Sequence, residues 1–172
     1  MKNIQHLKNQ GTLSLVILTP LTLGIYLARY ISRQTGLINT GRSLNRQISS
    51  TMVAALLGFT YISAMLTILM WIVMYVIFLN ADALDPILTL VFSANDLTHY
   101  MAYTLTLIWS FLFRDRLHED LNSPPDSDLW FDASWTFLFG PMYLNYKINK
   151  IFSQSEITRP NKTMEDNDLS CA

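Results

Sequence analysis

The chain has 172 residues, with 12 Lys and Arg against 13 Asp and Glu and a formal net charge of −1. That length leaves room for one domain and short tails, and the near-balanced charge gives no electrostatic footprint for a nucleic-acid partner. The single cysteine, Cys171, excludes an internal disulfide or a cysteine-built metal site and does not fit a prenylation box.

The first apolar segment, about residues 12–31, follows Lys2 and Lys8 and contains Pro20 and Gly24. It is not expected to be a cleaved signal peptide, because Leu27-Ala-Arg-Tyr-Ile offers no small-x-small site. Pro20 disfavours an unbroken helix and Gly24 frees the backbone to turn, which suits a re-entrant hairpin. A proline-kinked span, with the Thr19 and Thr22 hydroxyls satisfying freed carbonyls, is the other reading.

The connection that follows carries Arg29, Arg33, Arg42 and Arg46 without an acid. These four are candidate contacts for anionic lipid head groups, each worth ~1 kcal/mol, or simply determinants of membrane orientation.

From Gln47 to Ala81 there are 35 positions without a charged side chain. A bilayer core needs only ~20 helical residues. This stretch sets the class, and a transmembrane helix is predicted over about 52–80. A short loop, Asn80 to Pro86, holds two acids, and a second transmembrane helix is predicted over about 86–113.

That second helix carries polar residues at an evident cost. Asp96, His99, Tyr103, Thr106 and Ser110 recur at spacings of three and four, so they share one face. His99 lies 12 residues from Ile87, about 18 Å along a helix and near the middle of a bilayer. Thr60, Ser63 and Thr67 give the preceding helix a matching face, and folding about the short loop is expected to set Thr67 near His99 and Ser63 near Tyr103. One reading makes Asp96 and His99 a proton- or ion-handling site. The other makes the stripe interhelical glue, with Asp96 accepting a hydrogen bond from His99 one turn away. Haem ligation would need a second axial histidine, and His6 and His118 lie outside the apolar core. No cofactor is expected.

The segment Arg114-Asp-Arg-Leu-His-Glu-Asp mixes charges at helical spacing and should extend the helix until Ser123-Pro-Pro stops it. His118, Glu119 and Asp115 lack the second histidine that a metal site would call for, so a solvated helix end is expected. A fourth segment, about 130–148, is interrupted by Gly140-Pro141 and repeats the choice between hairpin and kinked span. The tail 153–172 is polar and expected to be disordered, and its Asn161-Lys-Thr matches a glycosylation acceptor pattern.

Charge favours the hairpins. With four full spans, the 12 basic residues divide six and six. With two spans and two hairpins, all 12 share one side and the opposite loop has none, the asymmetry that insertion selects. Leu23-Gly-Ile-Tyr before Tyr30 and Phe139-Gly-Pro-Met before Tyr146 repeat a glycine-to-tyrosine spacing of six, as in a fold with matched halves.

Three stretches, Thr22-Leu-Gly-Ile-Tyr, Arg114-Asp-Arg-Leu-His-Glu and Thr136-Phe-Leu-Phe-Gly-Pro-Met-Tyr-Leu-Asn-Tyr-Lys-Ile-Asn-Lys150, resemble a family of small bacterial inner-membrane proteins of unknown function. The chain departs from it at Leu27-Ala-Arg-Tyr30, where Tyr-Trp is common. The resemblance implies a bacterial cytoplasmic membrane and no particular chemistry.

The expected architecture is therefore an all-α integral membrane protein. Two long helices (52–80 and 86–113) are flanked by two broken segments (12–31 and 130–148) in one domain, 1–152, with cytoplasmic termini. The expected partners are membrane lipids and other membrane proteins or further copies of the chain. No phosphate loop, zinc-binding helix or nucleophile elbow is present. A non-enzymatic interaction or accessory role is expected, with a small oligomeric proton or ion transporter using Asp96 and His99 as the alternative.

Overall fold

The structure, a computed structural model, describes residues 7, 10–79, 85–125 and 127–157. Among them every regular element is helical. These are α1 (Thr12–Leu21), α2 (Ile25–Asn39), α3 (Ser50–Leu79), α4 (Asp85–Leu121) and α5 (Ala133–Ile157), with one 3₁₀ turn at Leu44–Arg46. The loop 80–84, the Asn161 acceptor pattern and Cys171 lie outside the described residues.

The first broken segment is a helical hairpin. At the end of α1, Leu23 and Gly24 both take positive φ, 51° and 85°. The Gly24 amide bonds the Thr19 carbonyl at 2.8 Å and the Leu23 amide bonds that of Pro20 at 3.2 Å, the paired closure that ends a helix in a left-handed turn. Thr22 stitches the arms: its hydroxyl donates to the Leu18 carbonyl at 2.8 Å and accepts the Tyr26 amide at 3.0 Å. The arms return side by side. The Gln34 amide reaches the Leu7 carbonyl at 3.5 Å, while Tyr30 and Thr12 both bond Asn145. A kinked span would carry Thr12 and Tyr30 apart.

The second broken segment does the same within α5. Gly140 has φ 48° and ψ −126°, and the chain reverses there into a short arm, 133–139, and a long arm, 141–157. Trp130 and Asp132 before the short arm line one groove with Lys147 and Lys150 of the long arm. The long arm continues to Ile157. The first residues of the tail expected to be disordered are thus helical, because Ile151 and the buried Phe152 keep the arm packed.

Between the hairpins, α3 and α4 pair antiparallel. α4 runs on from the apolar stretch through the charged segment, as expected, and ends at Leu121 just before Ser123-Pro-Pro, where Asn122 (φ 45°) takes the left-handed cap and the Ser123 amide bonds the His118 carbonyl at 3.4 Å.

The core lies at the end of the bundle that carries the arginines. Trp109, Phe113 and Leu117, spaced by four along α4, meet Leu15, Ile31, Leu56, Phe131, Leu144 and Ile148, all fully or almost fully buried. Trp109 stacks on Phe113 with ring centroids 4.6 Å apart and donates its indole N–H to the Thr35 hydroxyl at 2.8 Å.

Past the hairpin tips α3 and α4 continue without the other helices, and their apolar side chains face outward: Met65, Trp71, Leu90 and Tyr100 are each 70–71% exposed. Among the described residues only Ser50–Tyr75 of α3 is long and apolar enough to cross a membrane. Of its most apolar stretch, 28% is buried, which is unlike the central helix of a soluble core. α4, interrupted by Asn95, Asp96 and His99, falls short on apolarity.

Candidate functional site

The hairpin tips converge on the middle of the α3–α4 pair and leave a crevice of about 540 Å³. Thr19 to Gly24 form one wall and Phe137 to Met142 another, while Thr60, Ser63, His99, Tyr103 and Thr106 supply its polar lining. Both tips approach closely: a Cβ on Gly24 would meet Thr60 Cγ2 at 3.6 Å, and one on Gly140 would meet Ser110 Oγ at 3.2 Å.

The polar stripe is brought together in a different register from the one expected. Ser63 Oγ shares a hydrogen bond with the His99 ring. One turn on, the Thr67 hydroxyl donates to Asn95 Oδ1 at 3.2 Å. Both pairs sit one helical turn from the partners expected from folding about the loop. Asn95, buried at 6% exposure, replaces Asp96 as the polar partner in the seam. Its spacing of four from His99 is the sequence signal that places it on the same face.

Asp96 takes no part in the seam. It is exposed and points outward beside Leu97, itself 60% exposed, and among the described residues it has no hydrogen-bond or ionic partner. The Asp96–His99 hydrogen bond expected one turn apart is not formed. Tyr103 is 58% exposed on the rim of the crevice.

The four arginines separate into two kinds. Arg33 and Arg46 are exposed, and exposed Arg29 donates to the Tyr61 hydroxyl at 3.0 Å. Arg42 is instead engaged by the protein. Its guanidinium meets Glu119 at 3.2 Å, Asp120 at 2.5 Å and the Arg116 carbonyl at 3.2 Å, with 13% of the side chain exposed. Arg42 therefore fastens the basic connection to the end of α4 and is not free for head groups. Asn39 closes the same connection by exchanging two 2.9 Å hydrogen bonds with the Ile48 backbone.

His118 is likewise structural and not the solvated helix end expected. Its ring stacks on Trp130 with centroids 4.0 Å apart, and Nε2 accepts the Phe131 amide at 2.9 Å. Burial, reinforced by the Arg114 guanidinium and opposed by Asp115, holds its pKa below the ordinary 6.5. Only the neutral ring can accept the Phe131 amide. The unfolded chain thus binds the proton more readily, and this contribution to stability is complete above pH 6.5 and fades as pH falls through the lower folded value. His118→Phe keeps a stacking ring but neither the acceptor nor the titration. The stability gap between parent and variant, read by denaturant unfolding, is expected to narrow as pH drops from about 8 to 5. A gap that stays constant would show that His118 does not report on this junction.

Among the described residues no three His, Cys, Asp or Glu side chains gather as a metal site. No protein-family model, curated protein or solved structure matches the chain.

Proposed function

We propose that the protein is an integral membrane protein that crosses the bilayer with α3 and α4 and sets its two helical hairpins in from the basic side. It acts as a non-enzymatic interaction or accessory subunit for another membrane component. Asp96 carries this reading. An outward-facing carboxylate 11 residues from the start of α4 sits about 16 Å into a bilayer. Leaving it against lipid costs at least ~2.5 kcal/mol, so the face it shares with Leu97, Tyr100 and Tyr103 calls for cover by another protein surface. The gathering of Arg29, Arg33, Arg42, Arg46, Lys147 and Lys150 on one side supports cytoplasmic termini. The likeness of the Gly24 and Gly140 segments to small bacterial inner-membrane proteins supports that membrane as the location.

Topology is tested with single cysteines at Asn45, Asp82 and Asp128 in a Cys171→Ser background, labelled on intact cells with an impermeant reagent. Position 82 alone is expected to label, and labelling at 45 or 128 would remove the two-span arrangement. The interaction is tested by the size of the detergent-solubilised particle. Asp96→Leu removes the charge that calls for cover, so the particle is expected to shrink while its thermal midpoint holds or rises. An unchanged particle would sink the accessory reading.

One observation favours a second reading, a proton or ion path: His99 opens onto the crevice beside Ser63, with Asp96 one turn away. Under it, Asp96→Asn keeps fold and particle size but abolishes a proton or cation flux shown by the parent in liposomes. Under the interaction reading the parent shows no such flux.

A further inference from the structure

The groove between the two arms of α5 is larger than the crevice at the tips, about 810 Å³, and α1 adds Thr12 and Val16 as a third wall. Its chemistry changes along its length. Toward Gly140 it is walled by Trp135 and Phe139, which stack with centroids 5.5 Å apart and remain 54% and 48% exposed. Away from the tip, Lys147 and Lys150 stand on the long arm three residues apart, hence on one face. They lie seven and ten residues past Gly140, about 10–15 Å along the helix axis.

We infer that this groove holds one anionic phospholipid, its acyl chain along Trp135 and Phe139 and its phosphate between Lys147 and Lys150. The inference rests on the membrane reading above and names a ligand for it. Among the described residues neither ammonium group forms an ion pair. Asp132, just before the short arm, also lines the groove but forms no ion pair with either lysine, and its Oδ1 accepts the Ser134 and Trp135 amides at 2.7 and 3.1 Å and caps the helix. Asp128 meets the two lysines only across a smaller neighbouring cavity. Two unpaired cations at one end of an aromatic slot match an amphiphile with a negative head and an apolar tail. A hydrophobic helix from a partner would fill the slot without calling on the lysines. Trp130 and Tyr146 at the head end are the amphipathic rings that settle at the head-group level of a bilayer.

The test uses the full-length protein with Trp71→Phe, which removes the exposed indole on the far part of α3. It is purified in a mild detergent and titrated with phosphatidylglycerol or phosphatidylcholine bearing brominated acyl chains. Saturable quenching of tryptophan fluorescence is expected with phosphatidylglycerol at concentrations where phosphatidylcholine quenches little. Lys147→Gln with Lys150→Gln is expected to raise the half-saturating concentration roughly tenfold or more. Lys150 is exposed and Lys147 half-buried, and Trp135→Phe, which keeps the wall and removes the reporter, is expected to lose most of the signal. Equal quenching by both lipids, or quenching indifferent to the lysine changes, means general lipid contact and overturns the site while leaving the membrane reading intact. No saturable quenching in a protein that still needs detergent overturns it in favour of another occupant. A protein that stays dispersed without detergent and ignores both lipids would overturn the membrane reading itself.

Discussion

Replacing Gly140 with alanine is expected to lower the stability of the folded protein by about 1–3 kcal/mol, the range for forcing an L-residue into a sparsely populated backbone region. At φ 48° and ψ −126°, a side chain collides with its own backbone whatever the space around it. The space is also lacking, since the new Cβ would stand 3.2 Å from Ser110 Oγ on α4. Relief through either contact would pull the short arm of α5 away from α4. Gly36 provides the contrast: it lies within α2 at negative φ, and a methyl group added there would meet nothing within 4 Å. Gly36→Ala should therefore stabilise by about 0.5–1 kcal/mol through helix propensity alone. Thermal unfolding in detergent reads both, and a Gly140→Ala protein that melts with the parent would mean that α5 does not reverse at this residue.

Asn145→Leu is the second large effect, expected to cost about 2–4 kcal/mol, as several buried polar groups lose partners at once. The Asn145 side chain is fully buried and joins three parts of the chain. Its Oδ1 accepts the Tyr30 hydroxyl at 3.2 Å, and its Nδ2 donates to the Gln10 carbonyl at 3.2 Å and to the Thr12 hydroxyl at 3.1 Å. The first hairpin is thereby held to the second through this amide, with Asn149 one turn on reaching the same segment. Leucine fills a similar volume but leaves the buried Tyr30 hydroxyl without its partner, while Asn149 still serves Gln10 at 2.9 Å and Thr12 at 3.4 Å. Tyr30→Phe removes the other side of one bond and should cost about 1–2 kcal/mol. In the double variant the losses should fall short of their sum by about 1 kcal/mol, the measure of direct coupling. Strict additivity would show that the two side chains do not meet.

The reversals at Gly24 and Gly140 were legible because proline and glycine act locally, through one missing amide proton and one missing Cβ. The repeated glycine-to-tyrosine spacing marked the same two tips, though the tyrosines diverge: Tyr30 is buried against Asn145, whereas Tyr146 is 53% exposed. Long-range pairings left weaker traces. A one-turn error in the α3–α4 register survives any argument from spacing alone, because Ser63, Thr67, Asn95 and His99 keep the same periodicity in either register. Arg42 looks like its three neighbours in the sequence, and only the proximity of Glu119 and Asp120 sets it apart. Asn145 and Asn149, four residues apart, do carry a visible signal, two amides on one helical face, but the adjacent Gly140-Pro141 break overshadows it.

The proposed depth of the hairpins would have a consequence for the lipid around them. In the proposed arrangement, with α3 and α4 as the spans, α1, α2 and both arms of α5 would stand beside them in the leaflet on the basic side, and among the described residues only α3 and α4 would reach into the other. The molecule then displaces far more area from one leaflet than from its opposite. Such a wedge relieves packing stress where the membrane bulges toward the basic side and adds to it where the membrane bulges the other way. Its lateral distribution would follow membrane shape as well as chemical partners.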